Sequence, residues 1–115
     1  ERSIVRPVFS YYGKLIIDDS VIKSIVRIAA EQFEDVYRVA GTRVRHIVNG
    51  DDDLGIIVSL EVVFAYGHAI KETMVALRRR LQTEIERMTG MVVHEVDILV
   101  KSLHVGAQPP LRAEG

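Results

Sequence analysis

Five apolar residues, Ile56, Val58, Leu60, Val62 and Phe64, alternate with Ile57, Ser59, Glu61, Val63 and Ala65. A period of two over this length predicts a β-strand with one packed face and one mixed, partly wet face. On both sides of it the apolar period changes to steps of three and four. Ile22, Ile25, Val26, Ala29, Phe33 and Val36 precede it, and Ile70, Met74, Leu77, Leu81, Ile85 and Met88 follow it. Such stripes predict amphipathic helices, each with one face to bury. A strand that needs one cover, flanked by two helices that can supply it, constrains the chain to an α+β layer fold.

Punctuation places the other elements. Asp18-Asp19-Ser20 supplies side-chain oxygens suited to cap the first helix. Tyr37–Val48 reads as a strand bent at Gly41, and Asn49-Gly50 with Asp51-Asp52-Asp53 reads as the turn of a hairpin. Gly67 ends the central strand, Gly90 stops the second helix, and the segment from about Val92 to Leu103 alternates as a last strand. Taking the short run Lys14–Ile17 as a first strand gives the order βαββαβ. The predicted fold is a four-stranded, mostly antiparallel sheet with both helices packed on one face, since each crossover prefers the same hand. Residues 13–105 form the domain. Residues 1–12, apolar from Ile4 to Tyr12 but broken by Pro7, read as an arm or edge strand, and residues 106–115, with Pro109-Pro110, as a disordered tail.

Chemistry is hard to place on this pattern. The 115 residues carry fifteen basic and sixteen acidic side chains and no cysteine. A net charge of -1 gives no bulk attraction to nucleic acid or anionic lipid, and missing thiols exclude disulfides, cysteine-ligated metals and thiol catalysis. Asp51-Asp52-Asp53 lacks the calcium-loop spacing, because Val62 stands where that loop needs Glu. His46, His68, His94 and His104 do not form a helical metal-ligand pair. There is no Gly-x-Ser-x-Gly elbow, Glu84 and Glu86 point apart on their helix, and Gly50 and Gly55 are not followed by the Lys-Ser/Thr of a phosphate loop. No catalytic, cofactor-binding or metal residue, and no small-molecule substrate, is therefore assigned. The apolar runs are too short to span a bilayer and no signal-peptide core precedes them, so a cytoplasmic location is expected.

Two surfaces remain. Arg78, Arg79, Arg80 and Arg87, with Lys71, make the outer face of the second helix basic. It reads either as a solvated face or as a contact for an anionic partner such as RNA, a lipid headgroup or an acidic protein. The Gly-x-x-Gly loop of KH-type RNA domains is missing, and nucleic acid is the less favoured partner. The sheet face turned away from the helices carries Ile57, Val63, Leu99 and Leu103, a candidate self-association surface.

Three segments taken in order resemble the alkaline shock protein family, envelope-stress proteins widespread in Gram-positive bacteria. Gly13-Lys14-Leu15-Ile16-Ile17 with Asp19-Ser20-Val21-Ile22 and Ile28-Ala29-Ala30 is similar to the family's Gly-Lys-Ile start and alanine-rich helix. Val62-Val63-Phe64-Ala65-Tyr66-Gly67 resembles its strand ending in Tyr-Gly, and Met88-Thr89-Gly90 with Glu95–Val100 its Met-Thr-Gly turn and last strand, with Asp97 where Asn is frequent. The resemblance implies a non-enzymatic, cytoplasmic homo-oligomer that works at the membrane through a small integral-membrane protein and supports envelope homeostasis under stress.

Overall fold

A computed structural model describes residues 16–105. The elements run in the order α1 (Asp19–Glu31), β1 (Val36–Asn49), β2 (Asp52–Ala65), α2 (Ile70–Thr89) and β3 (Val93–His104). The helix α1 starts where the cap chemistry predicts: Asp18 has extended backbone and its carboxylate accepts the Ser20 amide at 3.0 Å. It stops at Glu31, two residues short of Phe33, because Val36 is already needed as the first residue of β1. The helix α2 ends on Gly90, whose φ of 75° is the left-handed conformation that glycine adopts without a Cβ penalty.

The sheet has three strands among the described residues, in the order β1-β2-β3, and this corrects the four-stranded expectation. Lys14 and Leu15 lie outside the described residues. Ile16 and Ile17 are not in a strand, and Ile16 is 75% exposed. They lead straight into the Asp18 cap and leave no length for a turn back to the sheet. Nor is the sheet mostly antiparallel. A two-residue turn at Gly50 and Asp51 makes β1 and β2 antiparallel, but α2 carries the chain back along its own length, so β3 pairs with β2 in parallel. The arm at residues 1–12 and the tail at 106–115 lie outside the described residues.

Both helices cover the same face, as expected. Ile56, Val58, Leu60, Val62 and Phe64 are all 2% exposed or less and pack with Ile22, Ile25 and Val26 of α1 and with Leu77, Leu81 and Ile85 of α2. Each such side chain, buried fully, contributes about 1.5–3 kcal/mol. Met88, by contrast, is 57% exposed, because it lies one turn beyond Ile85, where α2 has passed the core.

The central strand is the regular one, and the edge strands carry most of the irregularities. Tyr37 and Ala40 are extra residues in β1 against β2, and His94 and Lys101 are extra in β3. Bulges twist an edge and blunt it against uncontrolled pairing. Each also resets which side of the sheet the following residues occupy.

Candidate functional site

Register decides the composition of the outer sheet face, the one turned away from the helices. On β2 it presents Ile57, Ser59, Glu61, Val63 and Ala65, the partners in alternation of the five core residues. The antiparallel neighbour places Arg45 beside Ile57, Arg43 beside Ser59 and Arg38 beside Val63. The parallel neighbour places Glu95 beside Ile57, Asp97 beside Ser59 and Leu99 beside Glu61. The face is thus a basic row on β1 and an acidic row on β3, with a mostly uncharged lane between them.

Of the residues expected to form an apolar self-association surface, the structure brings together only some. Ile57, Val63 and Leu99 lie on the outer face; Leu99 is 57% exposed and Val63 only 6%. Leu103 is separated from them. The extra residue at Lys101 shifts the pairing by one, and Leu103 falls opposite the core residue Phe64. A one-residue slip turns the following side chains to the other side of a sheet. In its place on the outer face stands His104, paired with Ala65. Its ring stacks on Tyr37 from β1, with centroids 3.7 Å apart and planes 10° from parallel. Because β1 and β3 flank β2, this stack bridges the sheet across its middle strand.

Charge on this face is unevenly satisfied. Lys101 Nζ reaches Glu61 Oε1 at 3.5 Å. Glu95 and Asp97 are two residues apart on the same side of β3 and crowd each other. A hydrogen bond to Asp97 and its negative charge raise the Glu95 carboxyl above its usual range, while Arg45 across β2 acts in the opposite sense.

The arginines of α2 do not form one patch. Arg80 turns toward α1, where Nη2 donates to Gln32 Oε1 at 3.2 Å and the guanidinium lies 5.9 Å from the centre of the Phe33 ring. Arg87 is bound to Glu84 at 2.8 Å, three residues back on the same helix. Arg78 and Arg79 lie on the β3 side, lining a polar cleft of about 270 Å³ with Gln82, His94 and Glu95. An adjoining open groove of about 570 Å³ runs between α2 and β3, lined chiefly by Ile70, Met74, Val75, Val96 and Ile98.

One polar cluster is buried enough to invite a chemical reading. Asp35 accepts the Thr73 hydroxyl at 2.5 Å and lies 2.7 Å from His68 Nδ1, while its own carbonyl accepts the Ala65 amide at 2.8 Å. Thr73 and His68 both bind the carboxylate and not each other, so a nucleophile–base pair is not formed. The cluster ties the turn before β1 to the first turn of α2. Of the remaining histidines, His46 pairs with Asp19 at 2.7 Å and His94 lies 2.5 Å from the Leu54 carbonyl. Among the described residues, no group of three or more His, Cys, Asp and Glu side chains is placed to hold a metal ion.

The charged rows were missed in the sequence, although their signal is present. Arg43-x-Arg45 and Glu95-x-Asp97 are like charges at the strand period, which puts each pair on one face. What the period cannot say is that the two pairs lie level on opposite sides of one strand.

The model of the alkaline shock protein family, described as having a cell envelope-related function, matches residues 9–105. Among curated proteins there is no match. Solved structures with the same arrangement include several forms of MamM CTD. A manganese form has a TM-score of 0.52 at 10% identity, covering 74% of this chain and 99% of that one. A zinc form has a TM-score of 0.54 at 11% identity, with 78% and 91% covered. A doubly substituted form has a TM-score of 0.59 at 14% identity, with 78% and 88% covered. At these identities the likeness is one of fold.

Proposed function

The chain belongs to the alkaline shock protein family, a family of cell envelope-related function, and from that premise we propose that it is a non-enzymatic, self-associating scaffold of the envelope stress response. It acts in the cytoplasm and reaches the membrane through a small integral-membrane protein. The observation that carries this reading is the match to the family over residues 9–105, which spans every described element. Two further observations support it. No helix among the described residues is long and apolar enough to cross a membrane, which is compatible with attachment through a partner. The outer sheet face combines apolar residues with paired rows of opposite charge, a composition suited to protein contact.

An RNA- or anion-binding role for α2 is disfavoured by the way Arg78, Arg79, Arg80 and Arg87 disperse toward β3, α1 and Glu84. A basic patch or stripe clustered on one face is the usual footprint of phosphate contact.

Affinity purification from detergent-solubilised membranes of the source cells, followed by reconstitution with the recovered protein, tests the membrane link. A small membrane protein that binds the purified chain directly and moves it onto vesicles is the expected result. If the chain stays in the soluble fraction of the same cells under envelope stress, the reading is wrong.

A further inference from the structure

We propose that two copies of this chain pack sheet against sheet through the outer face, about a two-fold axis running along β2, with the arginine row of each copy over the acidic row of the other. The inference rests on the self-association read above and gives it a surface and a geometry. In one copy, Arg45, Ile57 and Glu95 lie level across the three strands, and so do Arg43, Ser59 and Asp97. A two-fold axis along β2 exchanges left and right without moving a residue along the strand. Arg45 therefore falls over the partner's Glu95, Arg43 over the partner's Asp97, and each pairing occurs twice. An axis at right angles to the strands, within the interface plane, would set β1 on the partner's β1 and place arginine over arginine. Charge thus selects the first axis, since like charges brought together across an interface oppose association.

The remaining features agree. Packed sheets lie about 10 Å apart, a gap that an arginine reaching toward a glutamate can close. Arg43, Arg45, Glu95 and Asp97 are in no ion pair among the described residues; Glu95 is hydrogen-bonded to Asp97, and both carboxylates also line the cleft that holds Arg78 and Arg79. The mutual crowding of Glu95 and Asp97 is relieved when a second arginine pair approaches. Along the axis Ile57 and Ser59 meet their own copies and the exposed Leu99 is covered. Glu61 also meets its own copy, with Lys101 at 3.5 Å to offset its charge, and the Tyr37–His104 stack marks the end of the flat contact. Three strands of this length offer roughly 550 Å² per copy. That is about 1,100 Å² in total, near the lower limit for a specific interface, so the charge pairing has to contribute for the contact to hold.

Sedimentation equilibrium of the full chain at low and high salt, with three variants, decides the matter. Wild type is expected to dimerise and to weaken as salt rises. Arg43→Glu with Arg45→Glu makes both rows acidic, and Glu95→Arg with Asp97→Arg makes both basic. Each is expected to raise the dissociation constant about ten-fold or more. Reversing all four together restores opposite rows and is expected to recover the dimer. Cross-linking guards against misfolded variants: Ser59→Cys, in a chain with no other cysteine, should be joined to its copy by a short bis-maleimide, and Thr83→Cys on α2 should not. Double variants that associate as tightly as wild type, a four-fold reversal that stays monomeric, or failure of Ser59→Cys to cross-link in the dimer each overturn this interface and leave self-association standing. A wild type that is monomeric at every concentration overturns both.

Discussion

Gly55 is held at φ 125°, a backbone conformation that L side chains rarely adopt, and a Cβ built there would overlap the Val92 carbonyl and the His94 ring. It sits where β2 receives the extra residue Leu54 against β1 while β3 passes on the other side, so the strain cannot be relieved by moving one neighbour. Gly55→Ala is expected to cost about 2–3 kcal/mol, read as a lower urea midpoint with an unchanged slope. Glu95 supplies a second test. Its folded pKa is raised by Asp97, so its favourable contribution is present below the unfolded carboxyl value and is lost as pH rises through the folded one. In the monomer, at concentrations below dimerisation, Glu95→Gln should therefore be more stable than wild type at pH 7, and the two should converge at about pH 3, where position 95 is uncharged in both. Thermal melts at the two pH values check this; a gain that persists in acid would locate its cause outside the charge. In the sequence Gly55 looks like one more turn glycine, because the atoms that forbid a side chain there belong to Val92 and His94, almost forty positions on.

At the level of elements, most boundaries were legible. The cap at Asp18, the Gly90 stop and the turn at Gly50 depend on residues within a few positions of one another, and they fall where local chemistry puts them. Asp18 also carries a pH signature. The Ser20 hydrogen bond lowers its pKa, so the cap stabilises α1 above the unfolded carboxyl value and fails as pH falls through the folded one. Asp18→Ala should lower the urea midpoint at pH 7, and the difference should shrink in acid. Packing of α2 on the sheet rests on Leu77, Leu81 and Ile85, all fully buried. Leu81→Ala is expected to cost about 2–5 kcal/mol in equilibrium unfolding, because its neighbours on α2 and β2 cannot both close over the cavity. Of the strand expected at Lys14–Ile17, the described residues Ile16 and Ile17 lie outside the sheet. A short apolar run ending in two β-branched residues has strand propensity, but propensity cannot say whether a neighbour with a free edge is within reach.

At the scale of the whole molecule, charge that nearly cancels in sum is sorted by the fold into rows. A titration of the full chain with a fluorescent RNA oligomer across a salt series should show no salt-dependent binding, since the α2 arginines diverge and the β1 row faces an acidic one at close range. Binding with a steep salt slope would return α2 to the centre of the function. The fold class, the two helices on one face, the core residues of β2 and the family were all written in the sequence, because they follow from periods, caps and the order of short segments. The parallel return of β3, the number of strands, the separation of Leu103 from Leu99 and the level pairing of Arg43 and Arg45 with Asp97 and Glu95 were decided only in three dimensions. The last two depend on a register between strands far apart in the chain. A single extra residue, at Lys101 or Tyr37, changes that register without leaving a mark in the local pattern.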